Sequence, residues 1–173
     1  MVLIIIARFS PTKAQSLEEN LVVGAERIDH YIEQLQNKNI AIVANATSVV
    51  RKSDRNSFTH LVDTLLSRKI AVSKIFSPEH GFRTTADAGE KVSSSIDPKT
   101  GIEIVSLYGK HRKPTKEDLN AVDLILFDIQ DVGVRFYTYI ATLQYVMEAA
   151  ADHDITIIVL DRPNPNGDMV DGP

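Results

Sequence analysis

Ile70-Ala71-Val72-Ser73-Lys74-Ile75-Phe76, followed by Ser77-Pro78-Glu79-His80-Gly81-Phe82-Arg83, is the stretch that decides the fold. The first seven residues are a short apolar, β-branched run with the composition of a strand. A Pro and a Gly then stiffen a loop that carries a carboxyl, an imidazole and a guanidinium within five residues, 79–83. The same grammar recurs on both sides. Residues 39–44 read as a buried strand ending at Asn45-Ala46-Thr47-Ser48, and residues 102–107 as one ending at Tyr108-Gly109. Residues 122–127 end at Asp128-Ile129-Gln130-Asp131-Val132-Gly133-Val134-Arg135, and residues 155–160 at Asp161-Arg162-Pro163-Asn164-Pro165-Asn166-Gly167.

Helical patterns separate these runs. Ile28, Tyr31, Ile32 and Leu35 recur at helical spacing and predict a helix over residues 24–36. Residues 60–66 predict a second helix, and residues 139–152 a long one with Leu143, Val146 and Met147 inward. Thr115-Lys116-Glu117-Asp118 resembles a capping box that opens a short helix. Residues 77–101 read as a loop of functional length. Alternating helices and continuously apolar strands imply an α/β fold: a doubly wound, mainly parallel sheet with helices on both faces. Right-handed crossovers would bring Asn45, Glu79, Tyr108, Asp128 and Asp161 to one edge, where open α/β sheets bind ligands.

The 173 residues suffice for one packed domain. Residues 1–20 read as a leader or N-terminal arm, with an edge strand as the alternative for the apolar start, and residues 21–173 as the domain. A net charge of −4 argues against non-specific nucleic-acid binding. The basic spots at Arg51, Lys52 and Arg55 and from Lys110 to Lys116 read as solvated loops. Without cysteine there is neither a disulfide framework nor a thiolate nucleophile. No apolar run is long enough to span a bilayer. No Gly-x-Gly-x-x-Gly, phosphate loop or Gly-x-Ser-x-Gly elbow follows any strand, which argues against dinucleotide, nucleoside-triphosphate and serine-hydrolase chemistry.

The strand-end residues suit several reactions. Glu79 fits a general acid, with Asp128, Asp131 and Asp161 as further carboxylates; two carboxyls flanking a bond are the usual apparatus of glycoside hydrolysis. His80 can orient the loop or donate to a ligand, and Arg83 and Arg135 can clamp an anion. Asp128, Asp131 and His80 admit a second reading, as a metal-dependent hydrolase. The Arg162–Gly167 segment reads first as a rigid turn and second as a ligand contact. For one of Tyr137 and Tyr139, core packing is the default expectation.

The strings Phe76–Arg83, Asp87-Ala88-Gly89-Glu90, Ser106-Leu107-Tyr108-Gly109, Phe127–Tyr139, Leu160–Gly167 and Val170-Asp171-Gly172-Pro173, taken in order, resemble a bacterial family of exo-β-N-acetylmuramidases. The resemblance runs from about Gly24 to the last residue. It implies a Rossmann-like N-terminal domain that continues into a C-terminal domain, with the site in a cleft between the two. It further implies removal of N-acetylmuramic acid from the non-reducing end of peptidoglycan fragments, with no cofactor. Glu79 matches the family glutamate expected to be the catalytic acid, with Glu90, Tyr108, Asp128 and Asp131 as candidates for its partner. Asn45, His80, Arg83, Arg135, Tyr137, Asp161, Arg162 and Asn164 are the expected substrate-binding set. The alternative is a muropeptide-binding domain without turnover. The substrate's location implies a periplasmic or extracellular protein, with a cytoplasmic recycling role as the alternative.

Overall fold

A computed structural model describes residues 2–5, 21–54, 56–83 and 95–168 of the chain. The five expected strands form: β2 (Ile40–Ala44), β5 (Val72–Ser77), β7 (Glu103–Ser106), β8 (Leu124–Asp128) and β9 (Thr156–Leu160). With β1 (Val2–Ile5) and β6 (Ser95–Ile96) they make a seven-stranded sheet of order β1-β9-β8-β2-β5-β7-β6. All neighbours pair in parallel except β6, which runs antiparallel on β7. The expected doubly wound sheet is therefore present, and the five strands end along one edge.

Strand residues alternate between two cores, as the two-residue period of a strand requires. Ile40, Ile42, Leu124, Leu126 and Ile158 face one side with Ile28, Tyr31, Leu35, Leu61 and Leu65. Ala41, Val43, Ile125, Phe127 and Ile157 face the other side with Val146, Ala149 and Ala150. The first layer uses the helices α1 (Ile32–Leu35) and α2 (Leu61–Ser67); the second uses α3 (Tyr139–Asp152), whose bounds are those predicted from its periodicity.

Three expectations need correction. Residues 24–36 are not one helix but two 3-10 turns, Gly24–Glu26 and Ile28–His30, followed by α1. Gly24 sits so close to the end of β9 that a Cβ there would lie 2.7 Å from the Asp161 nitrogen, and its N–H donates to Asp161 O at 2.8 Å. The backbone leaves helical geometry at Arg27 and Tyr31 as the Tyr31 ring turns into the core. Residues 115–118 form only turns. Asp118 accepts from Thr115 N and Oγ1 at 2.7 and 2.9 Å, but the same carboxylate also takes His111 Nε2 at 2.8 Å, and no helix propagates. A hairpin absent from the sequence reading, β3 (Val49–Arg51) against β4 (Phe58–His60), projects beyond β2.

The sheet edge is tied by one buried ion pair. Arg162 Nε and Nη2 donate to Asp128 Oδ1 and Oδ2 at 2.7 and 3.0 Å, and Nη2 also donates to Val49 O at 3.0 Å. The side chains are 7% and 0% exposed. The Asp128 backbone carbonyl accepts the Ser48 hydroxyl. Burial pushes the Asp128 carboxyl up, and the guanidinium pulls it back. Three strand ends are thus joined by one fork of hydrogen bonds. Removing one partner of such a pair costs about 3–5 kcal/mol, so Arg162→Ala should lower the urea-unfolding free energy by that amount. A loss under about 1 kcal/mol would mean that the pair is dispensable.

His60 joins the hairpin to α2. Val62 N donates to Nδ1 at 3.3 Å, so the ring proton is on Nε2, which donates to Asn45 O at 3.0 Å. The ring also meets Phe82 edge-on at 4.6 Å. Burial lowers its pKa to about 4. An unfolded histidine takes up its proton near pH 6.5, so protons bind the unfolded chain first. Stability present at neutral pH should therefore fall by about 3 kcal/mol as pH drops from about 6.5 to about 4. Urea titrations across this window, with His60→Asn to keep a capping side chain, should show the slope in the native chain and a flatter profile in the variant.

Candidate active site

Two clefts open at the sheet edge, one on each side of the first turn of α3. The first, of about 180 Å³, is lined by Glu79, Leu107, Tyr108, Arg112, Thr138, Thr142 and Tyr145, among others. Glu79 stands two residues past β5 in a turn closed by Gly81 N donating to Pro78 O at 3.3 Å. The turn is tight: His80 has a φ of +74° and Gly81 one of +83°. A non-glycine residue held in the left-handed region is a strain that surroundings must maintain, and such residues gather at functional sites.

Glu79 is half-buried and hydrogen-bonded to Tyr108. The Tyr108 hydroxyl is raised above the usual phenol range by that hydrogen bond and by the Glu79 charge. Next to it, Tyr139 is pushed up by burial, with the nearby Tyr137 and Glu79 adding to the rise and a hydrogen bond from the Asn45 side chain opposing it. Tyr137 lies edge-on to Tyr139 at 5.2 Å. Asn45 can serve Tyr139 because its own carbonyl oxygen is fixed by Thr47 N and Oγ1 at 2.9 and 2.6 Å. Asn45, Glu79, Tyr108, Tyr137 and Tyr139 therefore form one hydroxyl- and carboxyl-bearing group drawn from four segments.

The second cleft, of about 130 Å³, is lined by Asp131, Tyr139, Asp161 and Arg162 together with apolar residues of β8, β9 and α3. Gly133 lies beside it with a φ of +70° and so close to Asn164 that a Cβ would meet the amide at 2.1 Å. Asn164 thereby holds the Asp131 loop, while its Oδ1 accepts from Asn166 N at 3.0 Å.

Other residues of the expected set do different work. Arg83 is no substrate clamp: its guanidinium donates to Asp63 at 3.0 and 2.8 Å and to Asp97 at 3.1 and 3.0 Å. Both carboxyls, despite the upward push of burial, lie below the usual range because of these bonds. The cluster ties α2 to the segment after β6, a role hidden in the sequence because the partners are 20 and 14 residues away. Asp128 and Arg162 pair with each other as described above: both Asp128 oxygens are taken up, while Arg162 also lines the second cleft. The metal reading fails for the same reason: both Asp128 oxygens are held by Arg162, and among the described residues no three His, Asp or Glu side chains are grouped to hold an ion. Arg135 is exposed on the loop before α3, next to Phe136, which is 83% exposed. Glu90 lies outside the described residues. His60 was missed because its role as a helix cap and carbonyl donor depends on tertiary neighbours.

Comparison with known proteins fits this geometry. A peptidoglycan β-N-acetylmuramidase, NamZ, of Bacillus subtilis is 48% identical over 145 residues, covering 83% of this chain and 34% of that protein. Crystal structures of two DUF1343 family proteins of Bacteroides fragilis superpose with TM-scores of 0.71 and 0.73 at 44% and 35% identity. The matches cover 88% and 86% of this chain, and 37% and 36% of those. The chain thus spans about a third of the length of these relatives. Residues 40–173, which hold both clefts and the Asp128–Arg162 pair, match the family described as exo-β-N-acetylmuramidase NamZ, N-terminal, and the chain belongs to that family.

Proposed function

We propose that this sheet edge removes N-acetylmuramic acid from the non-reducing end of peptidoglycan fragments, with Glu79 as the general acid. The observation that carries the reading is the Glu79–Tyr108 pair facing a cleft at the carboxyl edge of a parallel sheet, in a chain whose curated relative is a peptidoglycan β-N-acetylmuramidase. Glycosidic cleavage needs a proton on the leaving oxygen as an oxocarbenium-like centre develops. A carboxyl within reach of that oxygen supplies it. Tyr108 orients the Glu79 carboxyl from one side, leaving the rest of it toward the cleft. Arg135, one turn before α3, is the group we assign to the lactyl carboxylate that distinguishes muramic acid from glucosamine. A cell-wall substrate supports a reaction outside the cytoplasm, in the periplasm or beyond, with a cytoplasmic recycling role as the alternative.

Release of free N-acetylmuramic acid from the MurNAc-GlcNAc disaccharide tests the reading. Glu79→Gln should cut release by about 10²–10⁴-fold while leaving sugar binding within a few fold, and Tyr108→Phe should cost less. Binding by the native chain without any release would instead favour a muropeptide-binding domain. Arg135→Ala should weaken muramyl ligands by about tenfold, as expected for a lost charge-assisted hydrogen bond, and spare glucosaminyl analogues. Equal losses on both would remove Arg135 from the site.

A further inference from the structure

The Glu79 cleft runs along α3. Thr138, Thr142 and Tyr145, spaced at i, i+4 and i+7, share one helix face and line it. By helix rise these positions span about 10 Å. Glu79 belongs to the Thr138 end, since its charge is felt by Tyr139 in the first turn. The opposite wall is the segment after β7, whose course is fixed at both ends. Tyr108 bonds Glu79. Lys113 donates to Asp152 at 2.7 Å and lies 3.5 Å from Glu148, both of them beyond Tyr145 on α3. Residues 108–113 therefore accompany α3 from its first turn into its second half, which brings Arg112 to the Tyr145 end of the cleft.

The neighbours of Arg112 are spoken for: His111 by Asp118, and Lys113 by Glu148 and Asp152. Arg112 is not. Its Nε donates to Gly109 O at 2.9 Å, which pins the guanidinium, and among the described residues no carboxylate pairs with it. Its terminal N–H groups are left to the cleft it lines. A pinned guanidinium, the half-buried Tyr145 ring and the apolar Leu107 offer what a sugar ring needs: a face to cover it and donors for its oxygens. The two ends of the cleft indicate which ring. Arg135, assigned above to the lactyl carboxylate, lies on the loop before α3, and Arg112 and Tyr145 lie past Glu79 in the other direction. With the scissile oxygen at Glu79, the muramyl ring extends towards Arg135 and the departing sugar towards Tyr145. We propose that Tyr145 and Arg112 form the site of the departing N-acetylhexosamine, the Tyr145 ring lying against its apolar face and the Arg112 guanidinium donating to its oxygens. The proposal rests on the muramidase reading and names the residues that recognise the other half of the cleaved bond.

Such a site acts on the leaving oxygen through the ring that carries it. A sugar held at its far side keeps its glycosidic oxygen within reach of the Glu79 carboxyl, which is positioning of the kind that lowers the entropic part of a barrier. A methyl group in place of that sugar has nothing to offer Tyr145 or Arg112. The cleft therefore distinguishes a departing amino sugar from a simple alcohol.

Calorimetric titration of the whole chain carrying Glu79→Gln, which prevents cleavage during the measurement, tests the assignment with two ligands: the MurNAc-GlcNAc disaccharide and the methyl β-glycoside of N-acetylmuramic acid. The disaccharide should bind about 10–100-fold more tightly, the range for hydrogen bonds from a charged donor. Adding Arg112→Ala or Tyr145→Ala should reduce that ratio to less than about threefold, with a native-like melting curve, and Tyr145→Phe, which keeps the ring, should preserve it. A ratio that survives both alanine variants, or equal losses on the two ligands, overturns the role of Tyr145 and Arg112 and leaves the muramidase reading standing. So does a ratio near one before either is changed. Failure to bind either ligand overturns both the proposal and the reading it rests on.

Discussion

The Asp128–Arg162 pair is the constraint on which the sheet edge depends. Parallel strands are fixed to one another along their length, but nothing in a ladder fixes the loops beyond it. Here Arg162, just past β9, grips the last residue of β8 and the carbonyl of Val49 in the hairpin that follows β2. The Asp128 carbonyl holds Ser48 from the other direction. Asn45, one turn away from Ser48, is thereby placed to reach Tyr139. A hydrophobic pair of equal volume often replaces a buried ion pair without loss. It could not do so here without leaving the Val49 carbonyl short of its donor.

The sequence made the frame legible because the frame is local chemistry. Apolar runs of strand length and the helical period of residues 139–152 are properties of neighbouring residues, and they specify the sheet, α3 and the shared edge. The convergence of Asn45, Glu79, Tyr108, Asp128 and Asp161 followed from crossover handedness alone. What stayed hidden is pairing across the chain. Arg83 looked available because Asp63 and Asp97 are distant in sequence, and Arg162 because Asp128 is 34 residues away. The break in residues 24–36 was equally illegible, since it depends on Gly24 docking against the end of β9. The β3–β4 hairpin was missed because its strands are three residues each, too short for a period to register.

The first turn of α3 organises the two clefts. Thr138 lines the Glu79 side, Ile140 and Leu143 the Asp131 side, and the Tyr139 ring is shared: its hydroxyl bonds Asn45 and feels the Glu79 charge while the ring walls the Asp131 cleft. Any movement of this turn changes both clefts together. Of the two tyrosines, one of which was expected in the core, Tyr139 is the core residue, and it is also the partition between the clefts.

Several carboxylates of the molecule are held by cations. Asp128, Asp63 and Asp97 are each held by a guanidinium. Protonating a carboxylate against a fixed cation forfeits the pair's attraction, which makes such groups good struts and poor proton carriers. Glu79 is held by a phenol. A neutral hydroxyl can orient a carboxyl in either protonation state, because it both donates and accepts, so the exchange of a proton does not dismantle the contact that positions it. That difference in partner separates Glu79 from the acids paired with guanidinium groups and is the reason we propose it as the general acid.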